Sequence, residues 1–196
     1  MIKKIADFVL LPLRVILPPK KIRKIGLTPI IDERHNIVLE HVKGKLLDVG
    51  CGDNLLVKQY GDGIGVDVFP WKGIDILIHT PFMPFSEKKF DTITFMASIN
   101  HIPESIRIQV LREAKRVLKD DGQIIITMIT PKISYLGHNF LWGWRDPDIQ
   151  DRGMKEGEEW GFSPKQMIEI LKKADLKIES HKKFVYGLNH LYIVKK

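Results

Sequence analysis

Residues 45–54 read Lys-Leu-Leu-Asp-Val-Gly-Cys-Gly-Asp-Asn, and Gly65-Val66-Asp67 follows shortly after them. The pattern predicts a buried strand, a glycine turn, a short helix and a second strand that ends at a carboxylate. In an open α/β sheet, ligands bind in the crevice beyond the carboxyl ends of the strands. Gly50 and Gly52 let the backbone approach a ligand closely, because neither carries a Cβ. We therefore predict a site for a nucleoside-containing cofactor whose ribose hydroxyls donate to Asp67.

The glycine spacing limits which cofactor this can be. A dinucleotide fingerprint needs a third glycine three residues after the second, and this chain has Leu55 there. No Gly-Lys-Ser/Thr follows, so the usual phosphate-cradling loop is absent from the sequence. The stretch resembles instead motif I of the class I S-adenosylmethionine-dependent methyltransferases, an acidic residue followed by Gly-x-Gly-x-Gly. Asn54 stands at the third glycine, and asparagine tolerates left-handed backbone angles better than most residues.

The resemblance continues along the chain in the family's order. Residues 90–102 resemble motif IV, in which a strand leads into a loop beside the transferred methyl group. Residues 110–123 resemble the helix and turn before strand 5, and residues 124–129 resemble that strand. Residues 162–178 are similar to the family's late helix and sixth strand. The resemblance implies an enzyme that transfers methyl groups from S-adenosylmethionine.

Alternating strands and helices predict a Rossmann-like, doubly wound α/β fold with a largely parallel sheet. Only Tyr186-Gly187 separates the last two predicted strands, so these must form an antiparallel hairpin. The expected fold is the family's seven-stranded, mostly parallel sheet with a C-terminal antiparallel hairpin. Strands are predicted at 45–49, 64–68, 74–78, 92–95, 123–129, 177–184 and 188–194, and helices at 30–42, from 54, at 103–118 and at 164–174.

The resemblance also implies a set of cofactor-binding residues, and two features depart from the family. The interval between Asp48 and Asp67 is about one helical turn shorter than usual, so the first helix of the fold should be short. His79-Thr80 stands where the family often has an acidic residue facing the adenine amino group. Cys51 is expected to be a small buried residue rather than a nucleophile. The predicted cofactor residues are Asp48, Gly50, Cys51, Gly52, Asn54, Asp67, Val68, His79, Thr80, Met96 and Ala97.

A long connection, about residues 130–161, is predicted between strand 5 and the late helix. Connections of this length are commonly lids or binding loops. Three of the four tryptophans fall here, and aromatic rings among polar neighbours suit stacking on a sugar or a flat acceptor. The alternative is that the tryptophans anchor the loop to the core. The predicted substrate residues are His138, Trp142, Trp144, Asp146 and Trp160.

A hydroxyl acceptor would benefit from a general base, and His101 is the candidate by position, with a structural role as the alternative. No His, Cys, Asp or Glu cluster has metal-site spacing. The Asn-Pro-Pro-Tyr motif used on DNA bases is absent, because Met96-Ala97-Ser98-Ile99 stands there, so DNA is not an expected partner. We predict O-methylation of a small-molecule acceptor or one linked to a lipid or glycan. RNA or protein methylation, and a non-catalytic partner subunit of methyltransferase fold, are the alternatives.

The basic charge of the chain is concentrated before the predicted domain of residues 28–196. Residues 1–26 contain seven basic residues against Asp7 alone, which gives +6 of the chain's +7. Apolar residues alternate with these charges, but Pro12 and Arg14 interrupt the segment too early for a membrane span. We predict that this basic amphipathic arm, residues 1–27, contacts an anionic membrane surface. A cap on the domain and an RNA-binding segment are the alternatives.

The arm and the cysteine content together predict a location. A single cysteine allows no internal disulfide, which fits a reducing cytosol. No small-residue cleavage site follows the arm, so a signal peptide is not expected. We expect a cytoplasmic protein with a peripheral position on the inner membrane surface.

Overall fold

The computed structural model describes residues 2–137 and 153–196, and a seven-stranded sheet runs through its centre. The strand order is β3-β2-β1-β4-β5-β7-β6, with β7 antiparallel to both of its neighbours and the other pairs parallel. This confirms the predicted Rossmann-like sheet with its C-terminal antiparallel hairpin. The strands are β1 (Leu46–Val49), β2 (Gly63–Asp67), β3 (Ile76–Leu77), β4 (Phe90–Met96), β5 (Leu118–Ile129), β6 (Lys177–Phe184) and β7 (Asn189–Lys195).

Eight α-helices are described, and they differ from the sequence prediction in the arm, directly after β5, and at the end of the helix predicted at 30–42, which stops at Leu39. The basic arm forms three short helices, and a helix that the sequence did not predict begins directly after β5. No helix in the described ranges is long and apolar enough to cross a membrane. The helices are α1 (Ile2–Val9), α2 (Leu11–Ile16), α3 (Pro19–Lys24), α4 (Ile30–Leu39), α5 (Leu55–Tyr60), α6 (Glu104–Val117), α7 (Pro131–Leu136) and α8 (Pro164–Lys173).

The core lies on both faces of the sheet, because successive strand side chains point to opposite sides. Leu47 belongs to one buried apolar cluster with α6 and α8, and Leu46 belongs to another with α4 and α5. Both side chains are fully buried. Burial on the two faces explains why β1 reads as a continuous apolar run interrupted only by Asp48.

Four strands differ in length from their predicted spans: β1 is one residue shorter, β4 is three residues longer, and β3 and β5 differ because of their pairing. β3 pairs with β2 through Ile76 and Leu77 alone, at the edge of the sheet. β5 begins at Leu118 rather than Gln123, because Leu118 already pairs with Phe90 before the register shifts. α5 is as short as the sequence predicts, with six residues between the glycine turn and Gly61.

Candidate functional site

A cleft of about 560 Å³ opens at the carboxyl ends of β1, β2 and β4. This is the edge at which open α/β sheets bind ligands. The glycine turn after β1 forms its floor, and the segments that follow β2, β3 and β4 form its sides. The first turns of α6, one face of α4 and residues Lys155 and Glu158 complete the wall.

The two glycines of the turn adopt positive φ angles, and at Gly50 the neighbouring loop leaves no room for a side chain. Gly50 has φ +73°, and a Cβ there would lie 2.4 Å from the Cβ of Ser98. Ser98 donates its hydroxyl hydrogen bond to the Val49 carbonyl at 2.6 Å, which fixes the β4 loop against the turn. Gly52 has φ +53° with open space where a Cβ would lie. The turn therefore presents bare backbone to the cleft.

Asn54 occupies the left-handed region that the sequence predicts, with φ 60° and ψ 33°. Its side chain turns away from the cleft and donates to the Gly73 carbonyl and to Asp75 at 3.1 and 2.9 Å. Asp75 also accepts from the Gly65 backbone at 2.7 Å. Asn54 thus ties the glycine turn to the loop after β2, and it is not among the residues that line the cleft.

Asp48 lies fully buried beneath the turn. Thr94 donates to its Oδ1 at 2.6 Å, and its Oδ2 has no hydrogen-bond partner among the described residues. Burial raises the pKa of this carboxyl to about 7, against the opposing effect of the Thr94 hydrogen bond. An unsatisfied buried carboxyl is costly, and such groups are concentrated at functional sites.

Asp67 ends β2 at the cleft and is 7% exposed. Its two oxygens accept from the Gly52 and Phe69 backbone N–H groups at 2.9 and 3.0 Å. Each carboxylate oxygen has a second lone pair, so the group can still accept from a ligand. These two backbone hydrogen bonds fix the orientation of the carboxylate that we predict to bind the ribose hydroxyls.

The structure brings nine of the eleven predicted cofactor residues to the cleft, and Asp48 and Asn54 lie behind its surface. Ala97 is held at φ 54°, an unusual backbone angle for a residue with a Cβ. Cys51 is buried, and its burial and the nearby Asp48, Asp67 and Asp75 carboxylates raise the pKa of the thiol. The protonated thiol fits the predicted role as a packing residue. The nine lining residues are Gly50, Cys51, Gly52, Asp67, Val68, His79, Thr80, Met96 and Ala97.

His101 lies in a short 3₁₀ turn after β4 and lines the cleft. Its Nδ1 is 3.4 Å from Oε2 of Glu158, whose side chain is 1% exposed. Arg107 and the Glu104 backbone both donate to the Gly157 carbonyl, at 3.0 Å each, which holds the Glu158 segment in place. The cleft therefore contains a histidine with a carboxylate beside its Nδ1.

Arg34 is a cleft residue that the sequence analysis missed. Its Nη2 donates to Asn189 at 3.0 Å, while its buried Nε has no partner among the described residues. Burial lowers the pKa of this guanidinium to about 10. The two acidic residues that precede it in α4 do not pair with it. Asp32 accepts hydrogen bonds from Arg23 of the arm, and Glu33 accepts one from Arg14. Within residues 2–137 and 153–196, the Arg34 guanidinium thus has no carboxylate partner, and it lines the cleft.

The predicted substrate residues are described only in part. His138, Trp142, Trp144 and Asp146 lie outside the described residues. Trp160 is described, and its ring packs edge to face against Tyr135 of α7 with centroids 6.3 Å apart. This contact joins the end of the insert to its beginning. Among the described residues, no group of three His, Cys, Asp or Glu side chains could hold a metal ion.

The fold is a Rossmann-like α/β fold with a cleft at the carboxyl ends of its parallel strands, and the comparisons identify the family. A family model described as "Methyltransferase domain" matches residues 22–181, which is most of the chain. The chain therefore belongs to this methyltransferase domain family. The uncharacterized protein MJ1252 of Methanocaldococcus jannaschii is 32% identical over 93 residues, which span 42% of this chain and 36% of that relative's length.

Solved structures share the fold at low sequence identity. A SAM-dependent methyltransferase from Aquifex aeolicus superimposes with a TM-score of 0.60 at 17% identity, covering 91% of this chain and 98% of the other. The 1,6-didemethyltoxoflavin-N1-methyltransferase of Burkholderia thailandensis has a TM-score of 0.60 at 14% identity, covering 83% of this chain and 75% of the other. That structure contains its small-molecule substrate and S-adenosylhomocysteine.

Proposed function

We propose that this protein transfers a methyl group from S-adenosylmethionine to a hydroxyl oxygen of an amphiphilic acceptor, linked to a lipid or glycan, near a membrane surface. The observation that carries the oxygen assignment is the His101–Glu158 pair in the cleft of the glycine turn. A hydroxyl must lose its proton as it is methylated, and a histidine with an adjacent carboxylate is a suitable base.

The residues of the cleft fit the cofactor along its length. Asp67 is placed to accept from two ribose hydroxyls, and the His79 and Thr80 backbone borders the space for adenine. Arg34 offers a cation to the methionine carboxylate, because its Nε lacks a partner among the described residues. The unsatisfied Asp48 Oδ2 beneath the turn supplies negative potential for the ammonium and sulfonium groups.

In the proposed mechanism, His101 removes the acceptor proton and Glu158 orients and stabilises His101. Glu158 accepts from Nδ1–H, which leaves Nε2 as the proton acceptor. When bound, S-adenosylmethionine supplies an activated methyl group that passes to the acceptor oxygen and leaves S-adenosylhomocysteine. The acceptor proton moves to His101 Nε2, and the resulting imidazolium is stabilised by Glu158. The cleft walls orient the acceptor for in-line transfer, which supplies much of the acceleration.

The arm supports an amphiphilic acceptor. It exposes apolar and basic side chains together, and it packs on α4, the helix that contributes Arg34 to the cleft. A membrane-bound acceptor would therefore meet the enzyme on the side where the cleft wall and the arm share a helix. Small-molecule methylation is also known in the fold, as in the toxoflavin enzyme.

Comparative mass spectrometry of lipid and glycan extracts tests this proposal. Cells with the gene should contain a species one methyl group heavier than cells without it. Glu158→Gln should restore much less of that species than the wild-type gene does, while Glu156→Gln, an exposed neighbour, should restore it fully. Full restoration by Glu158→Gln would contradict the base assignment, and unchanged lipid and glycan pools would contradict the acceptor class.

A further inference from the structure

Each of the first two helices of the arm directs one charged residue inward, Asp7 in α1 and Arg14 in α2, while Lys3 and Lys4 of α1 are exposed. Asp7 and Arg14 are only 7% and 3% exposed, whereas Phe8 and Val9 are 57% and 65% exposed. Helices of globular proteins normally direct their apolar stripe to the core, so this arrangement is inverted. We use the name apolar arm surface for the exposed residues Ile5, Phe8, Val9, Leu10 and Leu13, with Ile25 after α3.

The inward charges fix this orientation. Arg14 donates to the Thr28 carbonyl at 2.7 Å, to the Asp7 carbonyl at 3.0 Å and to Glu33 of α4 at 2.5 Å. Asp7 accepts from the Thr28 backbone at 2.8 Å. A second contact joins α1 to the domain. The Tyr186 ring packs on the Phe8 ring, and the Tyr186 hydroxyl donates to the Lys4 carbonyl. The outward direction of the apolar side chains is therefore built into the fold.

Basic side chains accompany the apolar arm surface. Five lysines of the arm are exposed, and none forms an ion pair with another described residue. Arg23 is different, because it is bonded to Asp32 of α4. An arm that exposes both apolar groups and uncompensated lysines matches a surface that offers both acyl chains and negative headgroups. The five lysines are Lys3, Lys4, Lys20, Lys21 and Lys24.

We propose that the apolar arm surface and these five lysines dock the protein onto an anionic lipid bilayer, at the level of the headgroups. Charge complementarity favours this partner over a second copy of the chain, because two copies would bring the same lysines together. It is also favoured over single-stranded RNA, because Phe8 is the arm's one aromatic and base stacking needs aromatic platforms.

Docking in this orientation gives α4 two roles. Asp32 and Glu33 hold the arm, while Ile31, Arg34 and His35 of the same helix line the cleft. The docked arm and the cleft would thus share α4 as a common element. The idea that the docked enzyme methylates a membrane-bound acceptor rests on the proposed function. The docking of the arm on the bilayer does not depend on it.

Co-sedimentation of the full chain with vesicles tests the docking. The probes are vesicles of phosphatidylcholine alone and of phosphatidylcholine mixed with phosphatidylglycerol. The wild type should pellet with the anionic vesicles and lose binding as salt screens the lysines. Replacing the five lysines by glutamine should weaken that binding at least about 100-fold. Replacing Ile5, Val9 and Leu13 by serine should weaken it at least about tenfold.

Matched controls separate docking from folding and from catalysis. Glutamine at five exposed lysines elsewhere, Lys43, Lys165, Lys172, Lys173 and Lys177, makes the same charge change and should leave binding unchanged. S-adenosylhomocysteine binding should be equal in all variants if each is folded. Failure of the wild type to pellet with anionic vesicles would overturn the docking. If the wild type bound RNA but not vesicles, the five lysines would form an RNA-binding surface. Equal binding by wild type and serine variant would overturn insertion of the apolar arm surface.

Discussion

The raised pKa of Asp48 should make both the stability of the protein and its affinity for a cationic ligand depend on pH. Its folded-state pKa of about 7 lies above the ordinary value of 3.8, because burial disfavours the charged form. The folded chain therefore binds this proton more tightly than the unfolded chain does. The stability gained in this way is full below about pH 4 and is lost as pH rises through about 7. A cationic ligand above the turn would favour the ionised carboxylate.

We predict that the affinity for S-adenosylmethionine rises by roughly tenfold from about pH 6 to about pH 8, since ionised Asp48 attracts the cofactor's positive charges. Asp48→Asn should bind more weakly and show little of this rise. Calorimetric titration at several pH values measures both effects. Asp62→Asn, an exposed residue just before β2, is the control and should follow the wild type. Parallel pH profiles for wild type and Asp48→Asn would contradict the role of Asp48.

Arg34 allows a test that separates the two ends of the cofactor. We predict that Arg34→Gln weakens S-adenosylhomocysteine binding by about 10- to 100-fold, because a charged hydrogen bond to the ligand carboxylate is lost. The affinity for 5′-methylthioadenosine, which lacks that carboxylate, should stay the same. Competition calorimetry with the two ligands measures the difference. An equal loss for both ligands would mean that Arg34 supports the cleft without contacting a carboxylate.

At the scale of elements, two arginine–carboxylate pairs join the arm to α4 in different environments. Arg14 is 3% exposed and bonded to Glu33, whereas the Arg23 side chain is 53% exposed and bonded to Asp32. Removing Arg14 leaves Asp7, whose side chain is 10% exposed, and Glu33, whose side chain is 32% exposed, without their cation. Loss of one partner from a buried pair costs about 3–5 kcal/mol, and the partial exposure of Glu33 places this case at the lower end of that range. An exposed pair contributes at most about 1 kcal/mol.

We therefore predict that Arg14→Ala lowers the free energy of unfolding by about 3 kcal/mol. Arg23→Ala, the matched control on the same arm, should lower it by less than about 1 kcal/mol. Urea denaturation followed by circular dichroism measures both values. Similar losses for the two variants would show that the Arg14 network does not fix the arm on the domain.

Local patterns explain which elements the sequence predicts well. β6 is predicted with its observed bounds, and the glycine turn is recognisable because Gly50, Gly52 and Asn54 each meet a backbone requirement of one short segment. α7 is missed because its six residues follow directly on β5 and carry no distinct amphipathic pattern.

Tertiary packing explains what the sequence does not predict in the site. Glu158 reaches His101 through a tertiary contact, in which Arg107 and Glu104 of α6 donate to the Gly157 carbonyl and Asn100 is hydrogen-bonded to the Glu159 backbone. Arg34 enters the cleft because Asp32 and Glu33 are directed to the arm. Neither arrangement leaves a signal at a fixed spacing, whereas Asp48, Asp67 and the glycines do.

At the scale of the whole molecule, the sheet places the glycine turn, the Asp67 carboxylate and the His101 loop at one edge. The arm lies outside the sheet and contributes most of the net charge, so the basic character belongs to a surface distinct from the cleft. Substitutions in the cleft should therefore abolish cofactor binding without affecting vesicle binding, and substitutions in the arm should do the reverse. The central claim is that the cleft binds S-adenosylmethionine through Asp67.

Calorimetric titration of S-adenosylhomocysteine into the wild type and Asp67→Ala tests that claim most directly. We predict one binding site in the wild type and an affinity at least about tenfold lower in Asp67→Ala, because the two ribose hydroxyls lose a charged acceptor. Asp62→Ala removes the same charge from an exposed position and should bind as the wild type does. An absence of binding by the wild type, or an unchanged affinity in Asp67→Ala, would contradict the claim.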